Sequence, residues 1–281
     1  MKITLIVASG FIGRHLSEAL RKRGDTVAAV SLRDMSTTKR ECEGADAVVN
    51  LAGENVAVRW TADAKKNIRS SREDLPRELI ASFGTSRKPP KAYISASAVG
   101  YYGVDEVKTF TEKSPPGNDF LAEVCVAWER EANKAAEHGC RVAIVRTGLA
   151  LGKDGGALMR LLPIFKLGAG GPVASGNQWY SWIHIDDLIG VYLTAIYGGE
   201  GIYNATAPNP VRNREFTRAL AAVLQRPAVI PVPSFVLERM LGEGAMLVTK
   251  GQCVLPERTM ACGYAFRYTV IDRALAALVL H

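Results

Sequence analysis

The chain has 281 residues, 48% of them hydrophobic and 22% charged. That suits one large or two modest soluble domains and excludes global disorder or a fibrous repeat. The formal charge of +7 reads first as an ordinary solvated basic surface, allows an anionic ligand, and is too scattered to form the dense basic stripe that nucleic acid requires.

No apolar run approaches the roughly 18 residues needed to cross a bilayer. Five cysteines without a C-x-x-C pair give neither a disulfide framework nor a zinc knuckle. A cytoplasmic protein with reduced thiols is expected, with no membrane or nucleic-acid partner.

Ile3–Val7 reads as a buried strand. Ile12, Leu16, Ala19 and Leu20 then recur at helical spacing, and Gly24 stops the helix. Strands are expected at Thr26–Leu32, Ala45–Ala52, Ala92–Ser97 and Val142–Val145. Ala62–Phe83 and Leu121–His138 read as helical, with Pro76 expected to kink the first or to start a second helix. This alternation predicts an α/β fold of Rossmann type, a doubly wound parallel sheet with helices on both faces.

Glycine becomes dense from Gly148 to Gly176, and prolines punctuate the chain after Pro208. Residues 1–150 are therefore expected to form a dinucleotide-binding domain. Part of 176–200, including a helix at Asp186–Tyr197, returns to it. Residues 151–281 form a smaller, partly interleaved substrate-side domain.

The first strand runs through Val7-Ala8-Ser9-Gly10-Phe11-Ile12-Gly13 into its helix. Backbone N–H groups of Ser9, Gly10, Phe11 and Ile12 at such a junction face a pyrophosphate, while Gly13 lets the helix pack closely. At the end of the second strand, Ser31 occupies the place of the acid that binds a ribose 2′-OH, and Arg33 follows. A hydroxyl plus a guanidinium suits a 2′-phosphate, so NADP(H) is favoured. Asp34 keeps NAD(H) as the second choice.

The loop, Asn50-Leu51-Ala52-Gly53, Ser95-Ala96-Ser97-Ala98-Val99-Gly100-Tyr101-Tyr102-Gly103 and Trp182-Ile183-His184-Ile185-Asp186-Asp187-Leu188 together resemble the extended short-chain dehydrogenase/reductases. Ala52-Gly53-Glu54-Asn55, Trp128-Glu129 and Gly251–Pro256 are similar to the atypical "epimerase family protein" branch of that superfamily. The resemblance covers essentially the whole chain. It implies NADP(H) binding, with Leu51, Ala52, Gly53, Thr147 and Gly148 lining the cofactor, and a homodimer by analogy with extended members. It names no substrate. The chain departs from the family where Val7-Ala8-Ser9 replaces Gly-Gly-Thr, and Val7 is expected to reshape the loop.

The Tyr-x-x-x-Lys pair usual in that superfamily is missing, because Phe120 and Val124 stand in its place. Ser97, Tyr101 and Tyr102 are left as candidates for the proton work. No metal site is expected: Asp186 or Asp187 reads as a helix cap and His184 as a local hydrogen-bonding group. Gln178, Trp179, Tyr180 and Trp182 are candidates for a substrate wall. Two readings follow. One is an NADP(H)-dependent oxidoreductase or epimerase-like enzyme acting on an unidentified small molecule, with an anionic one allowed by the basic surplus. The other is a catalytically silent dinucleotide-binding sensor or scaffold.

Overall fold

The apolar runs around Ile3, Val48 and Ile94 are buried on both faces, as interior strands of a parallel sheet must be. In the computed structural model, which describes residues 1–280, the strands are β1 (Lys2–Ile6), β2 (Thr26–Val30), β3 (Ala47–Asn50), β4 (Ala92–Ala98), β5 (Asp105–Phe110), β6 (Arg141–Thr147), β7 (Leu149–Gly152), β8 (Trp179–Tyr180), β9 (Trp182–His184), β10 (Gly201–Ala205), β11 (Val211–Arg212) and β12 (Gln252–Val254). The helices are α1 (Phe11–Lys22), α2 (Met35–Cys42), α3 (Ala62–Phe83), α4 (Phe120–Asn133), α5 (Gly156–Lys166), α6 (Ile185–Tyr197), α7 (Asn213–Leu224), α8 (Ser234–Leu241), α9 (Met246–Thr249), α10 (Glu257–Ala261) and α11 (Ile271–Val279).

The main sheet has six strands in the order β10-β6-β4-β3-β1-β2, with every neighbouring pair parallel. One face buries Ile6, Val48, Tyr93 and Ile144 against Leu79 of α3 and Ala132 of α4. The other buries Ile3, Leu5 and Val145 with Leu16 of α1 and Leu188 of α6. Leu158 of α5 and Leu275 of α11 belong to that same cluster, so the C-terminal part shares its core with the sheet. The returning segment extends past residue 200, because β10 supplies the sixth strand.

Pro76 does not start a second helix: one helix runs from Ala62 to Phe83 with Pro76 inside it. Proline removes one backbone donor, but Ile68 and Arg72 before it and Leu79, Ile80 and Phe83 after it are all buried. That packing holds both halves in one element.

Three polar anchors, two of them buried, tie the later segments to the sheet. Arg141 donates to the carbonyls of Ala195, Ile196 and Gly199 at the end of α6, a favourable position for a cation. Glu112 accepts from the amides of Asn204 and Arg258. Asp187 does not cap α6. Its carboxylate accepts from the Tyr264 hydroxyl and the Arg267 and Tyr268 amides, each at 2.8 Å. The cap is His184, whose Nδ1 accepts from the Asp186 amide at 3.0 Å.

Candidate functional site

The carboxyl edge of a parallel sheet is where the adjoining loops leave room for a ligand. At the end of β1, Val7 takes a left-handed conformation with φ of +64°, unusual for a β-branched residue. The loop therefore keeps the turn that a glycine would make, contrary to the expected reshaping, and Val7 carries a local cost of about 1–2 kcal/mol. Gly13 meets its expectation: a Cβ there would lie 2.3 Å from the Val7 carbonyl oxygen. Gly10 differs, since a Cβ would meet nothing in the protein closer than 3.4 Å. It precedes α1 without a side-chain cap, and the first turn of α1 holds no acid. The leading N–H groups of a helix have no intrahelical acceptors. Those of Phe11 and Ile12, with the open space at Gly10, thus fit an anionic pyrophosphate.

The glycines at 152, 155 and 156 have a role that the sequence did not reveal. A Cβ on Gly152 or Gly155 would lie 2.4 Å or 2.2 Å from the Phe11 ring. This segment is a cup for Phe11, and Asp154 within it pairs with Arg14 and His15, each at 3.1 Å. The phosphate loop is thereby fastened to the start of α5.

At the end of β2, Ser31 and Arg33 are exposed, and the Arg33 amide donates to Ser31 Oγ at 3.3 Å. Asp34 is engaged through one carboxylate oxygen, Oδ1. It caps α2, accepting from the Thr37 amide at 3.1 Å and the Ser36 hydroxyl at 2.8 Å. These hydrogen bonds hold its carboxyl below the usual range.

After β3, Asn50 is fully buried; its Oδ1 accepts from the Ala52 amide and its Nδ2 donates to the Tyr93 hydroxyl. This fixes Leu51 and Ala52, and leaves Gly53 exposed. Thr147 and Gly148 end β6. Gly148 is required by the close passage of Ser181, whose carbonyl oxygen would lie 2.1 Å from a Cβ. Thr147 Oγ1 lies near the Tyr192 hydroxyl, yet both are buried without a normally formed hydrogen bond among the described residues. An unsatisfied buried hydroxyl at this edge also fits a polar ligand group.

Ser97, Tyr101 and Tyr102 are brought together by a pair of residues not among the predicted site: Glu129 of α4 and Arg146 of β6. Arg146 Nε and Nη2 donate to the two carboxylate oxygens of Glu129 at 2.8 and 2.6 Å, and Ser97 Oγ donates to Glu129 at 2.6 Å. Arg146 Nη1 donates to the Tyr102 hydroxyl, which donates in turn to Asn204 Oδ1 at 2.7 Å. The Arg146 guanidinium lies 3.3 Å from the Tyr101 ring centroid. Both the proton and a lone pair of Tyr102 are thus engaged, its side chain is buried, and burial pushes the phenol up to about 12. Tyr102 is placed as a structural member of the network. Ser97 is buried with its one proton committed to Glu129, so it can offer only a lone pair. Tyr101 is half-buried, and its hydroxyl makes no hydrogen bond among the described residues. Arg146, at the end of its strand, reads from the sequence as an anion holder or as the partner of an acid, and the structure shows the second; which acid it meets, Glu129, was not legible.

Phe120 packs edge-on to Trp60 at 5.0 Å and Val124 is buried, so no proton-carrying group stands there. Trp182 is core, not a substrate wall. Trp179 carries the Arg212 guanidinium 3.6 Å from its ring. Gln178 is buried and ties Val173 to Val248. Cys125 is a buried thiol, pushed up to about 12 by burial. Among the described residues, no three His, Cys, Asp or Glu side chains converge as a metal site would need, and no helix is long and apolar enough to cross a membrane.

Comparison with known proteins accords with this geometry. Residues 5–205 match the NAD dependent epimerase/dehydratase family, and residues 232–278 match a domain of unknown function, DUF1731. The chain is 41% identical to the epimerase family protein SDR39U1 homolog, chloroplastic, of Arabidopsis thaliana, over 99% of this chain and 87% of that one. It is 36% identical to the epimerase family protein YfhF of Bacillus subtilis, over 99% and 98%. The crystal structure of human epimerase family protein SDR39U1 with NADPH superposes with a TM-score of 0.92, at 32% identity, over 100% of this chain and 99% of that one. A Rossmann sheet carrying an open, uncapped phosphate loop, followed by the DUF1731 segment, places the chain in the NAD dependent epimerase/dehydratase family, among the epimerase family proteins of SDR39U1 and YfhF type.

Proposed function

We propose that the protein binds NADPH in preference to NADH and exchanges a hydride with a small hydroxyl or carbonyl compound. The observation that carries the cofactor preference is the end of β2. Asp34 caps α2 through Oδ1 and keeps only Oδ2 uncommitted, while Ser31 and Arg33 stay exposed, a hydroxyl and a guanidinium suited to a 2′-phosphate. The human relative crystallised with NADPH supports it. The nicotinamide supplies the hydride chemistry. Tyr101 is the phenol free to donate a proton to a reacting carbonyl oxygen, while Ser97, whose own proton is held by Glu129, can only accept from a substrate hydroxyl.

Titration of the purified protein with NADPH and NADH tests the reading. Tight NADPH binding, weak NADH binding and loss of the difference in Arg33→Ala support it; equal affinities overturn the assignment. Turnover of NADPH with a panel of carbonyl compounds then separates an enzyme from the second reading, a catalytically silent dinucleotide-binding sensor. The apolar Phe120 and Val124, in the place of the usual catalytic pair, favour that second reading. It gains if NADPH binds and no compound is turned over.

A further inference from the structure

Two arginines are buried among the described residues, Arg72 and Arg146. Glu129 neutralises Arg146. The Arg72 guanidinium instead donates to three neutral acceptors: the Ile68 carbonyl at 3.2 Å, Ser71 Oγ at 3.3 Å and the Glu54 carbonyl at 3.0 Å. Its Nε and one Nη2 hydrogen donate to no group among the described residues. The acids nearby do not close the account. The Glu54 side chain is exposed, Glu73 makes only a 3.8 Å ion pair with Arg69 and no hydrogen bond to Arg72, and Cys125 is a thiol at neutral pH. Burial lowers the Arg72 pKa from its ordinary value, opposed in part by Cys125 and Glu54.

The surroundings of this cation point the same way. The Trp128 ring packs 4.9 Å from it, and Trp128 Nε1 is a second buried donor without an acceptor. A Cβ on Gly53 would lie 2.8 Å from Arg72 Nη2. The missing side chain is what brings the guanidinium up to the exposed loop after β3. Two unsatisfied donors and no anion, at the carboxyl edge of the sheet, describe a place prepared for an acceptor that the protein does not itself provide.

We propose that Arg72 is the seat for the anionic group of the substrate, a carboxylate or phosphate held over Gly53 by the unused edge of the guanidinium. This rests on the preceding reading that the cleft takes a small molecule beside a dinucleotide. The cofactor pyrophosphate is the other source of such an anion. No group of the Val7–Ile12 loop is among those that contact Arg72, namely Ile68, Ser71, Glu54, Gly53 and Trp128; because Gly53 also belongs to the expected cofactor wall, the NADPH arm of the test separates the two sources.

The test is calorimetric titration of inorganic phosphate and malonate into NADPH-loaded protein. Wild type is expected to bind at least one, and Arg72→Met to weaken that binding roughly tenfold or more, the worth of a charge-assisted hydrogen bond. Arg72→Lys should retain part of it. Gly53→Ala, which pushes a methyl into the guanidinium without removing it, guards against a misfolded Arg72→Met and should show the same loss. Unchanged binding in these variants, or no binding of either anion by wild type, overturns the proposal. An NADPH affinity that falls in Arg72→Met, with no anion bound by the loaded wild type, assigns Arg72 to the pyrophosphate and also overturns it. If wild type fails to bind NADPH, the cofactor reading falls. Phosphate titration of the free protein, with Arg33→Ala as background, then still tests Arg72 alone.

Discussion

Gly13 stands against Val7 so closely that a Cβ on it would lie 2.3 Å from the Val7 carbonyl oxygen and 2.8 Å from the Ala8 Cα. Those atoms are backbone and cannot swing aside. Gly13→Ala should destabilise the protein by about 1–3 kcal/mol, as overpacking does, and abolish NADPH binding by displacing the loop. Gly10→Ala is the contrasting case. Its methyl finds ordinary contact distances, so stability should change by no more than about 0.5 kcal/mol, while NADPH affinity falls because the methyl takes the space of the phosphate. Thermal denaturation and NADPH titration of both variants check this. Full affinity in Gly10→Ala would remove the phosphate from that position.

Removing one member of the Glu129–Arg146 pair strands the other charge in the interior. Glu129→Leu alone should cost about 3–5 kcal/mol, and the double variant Glu129→Leu/Arg146→Met markedly less than the sum of the two singles. Ser97→Ala removes only a charge-assisted bond and should cost roughly 1.5–3 kcal/mol. Urea denaturation of the four proteins measures the coupling. Additive losses would show that the pair acts as two independent residues.

The strand and helix pattern was legible because β1, β3 and β4 are apolar runs with β-branched residues, and α1 carries Leu16 and Leu20 at helical spacing. The loop was legible because its glycines sit at a strand–helix junction. What could not be read was any relation between distant positions. Gly155 explains itself only once Phe11 lies on it, 144 residues away in sequence. Ser97 and Tyr102 looked like free hydroxyls because Glu129 and Arg146, which engage them, come from α4 and β6. Local propensity at Pro76 argues for a kink or a second helix, and buried neighbours on both sides keep one continuous element. Val7 was rightly singled out, but the fold imposed the glycine conformation on it.

Asp34 distinguishes the two cofactor readings through stability. As the cap of α2 it bonds the Thr37 amide, so Asp34→Ala should lose about 1 kcal/mol with NADH affinity unchanged. Asp34→Asn should keep most of the stability, since asparagine caps comparably. Chemical denaturation gives the first quantity and fluorescence titration the second. Weaker NADH binding in both variants would mean that the carboxylate holds a ribose after all.

His184 makes the stability of the protein sensitive to mild acid. Its Nδ1 accepts the Asp186 amide, so the capping form is the neutral ring with the proton on Nε2. Its face stacks on Tyr268 at 3.8 Å. Burial lowers its pKa; Asp186 and Asp187 oppose the shift, while Arg267 and His15 add to it. In the unfolded chain the ring takes a proton near pH 6.5. Above that, both states are neutral and the contribution of His184 is fully present. As the pH falls below it, the unfolded state gains a proton that the folded state refuses, and stability drops until the pH passes through the depressed folded value. Melting temperatures should therefore decline between about pH 7 and pH 5. His184→Asn, whose side-chain oxygen can accept the same amide, should flatten that part of the profile. Profiles of equal slope would show that the decline comes from groups other than His184.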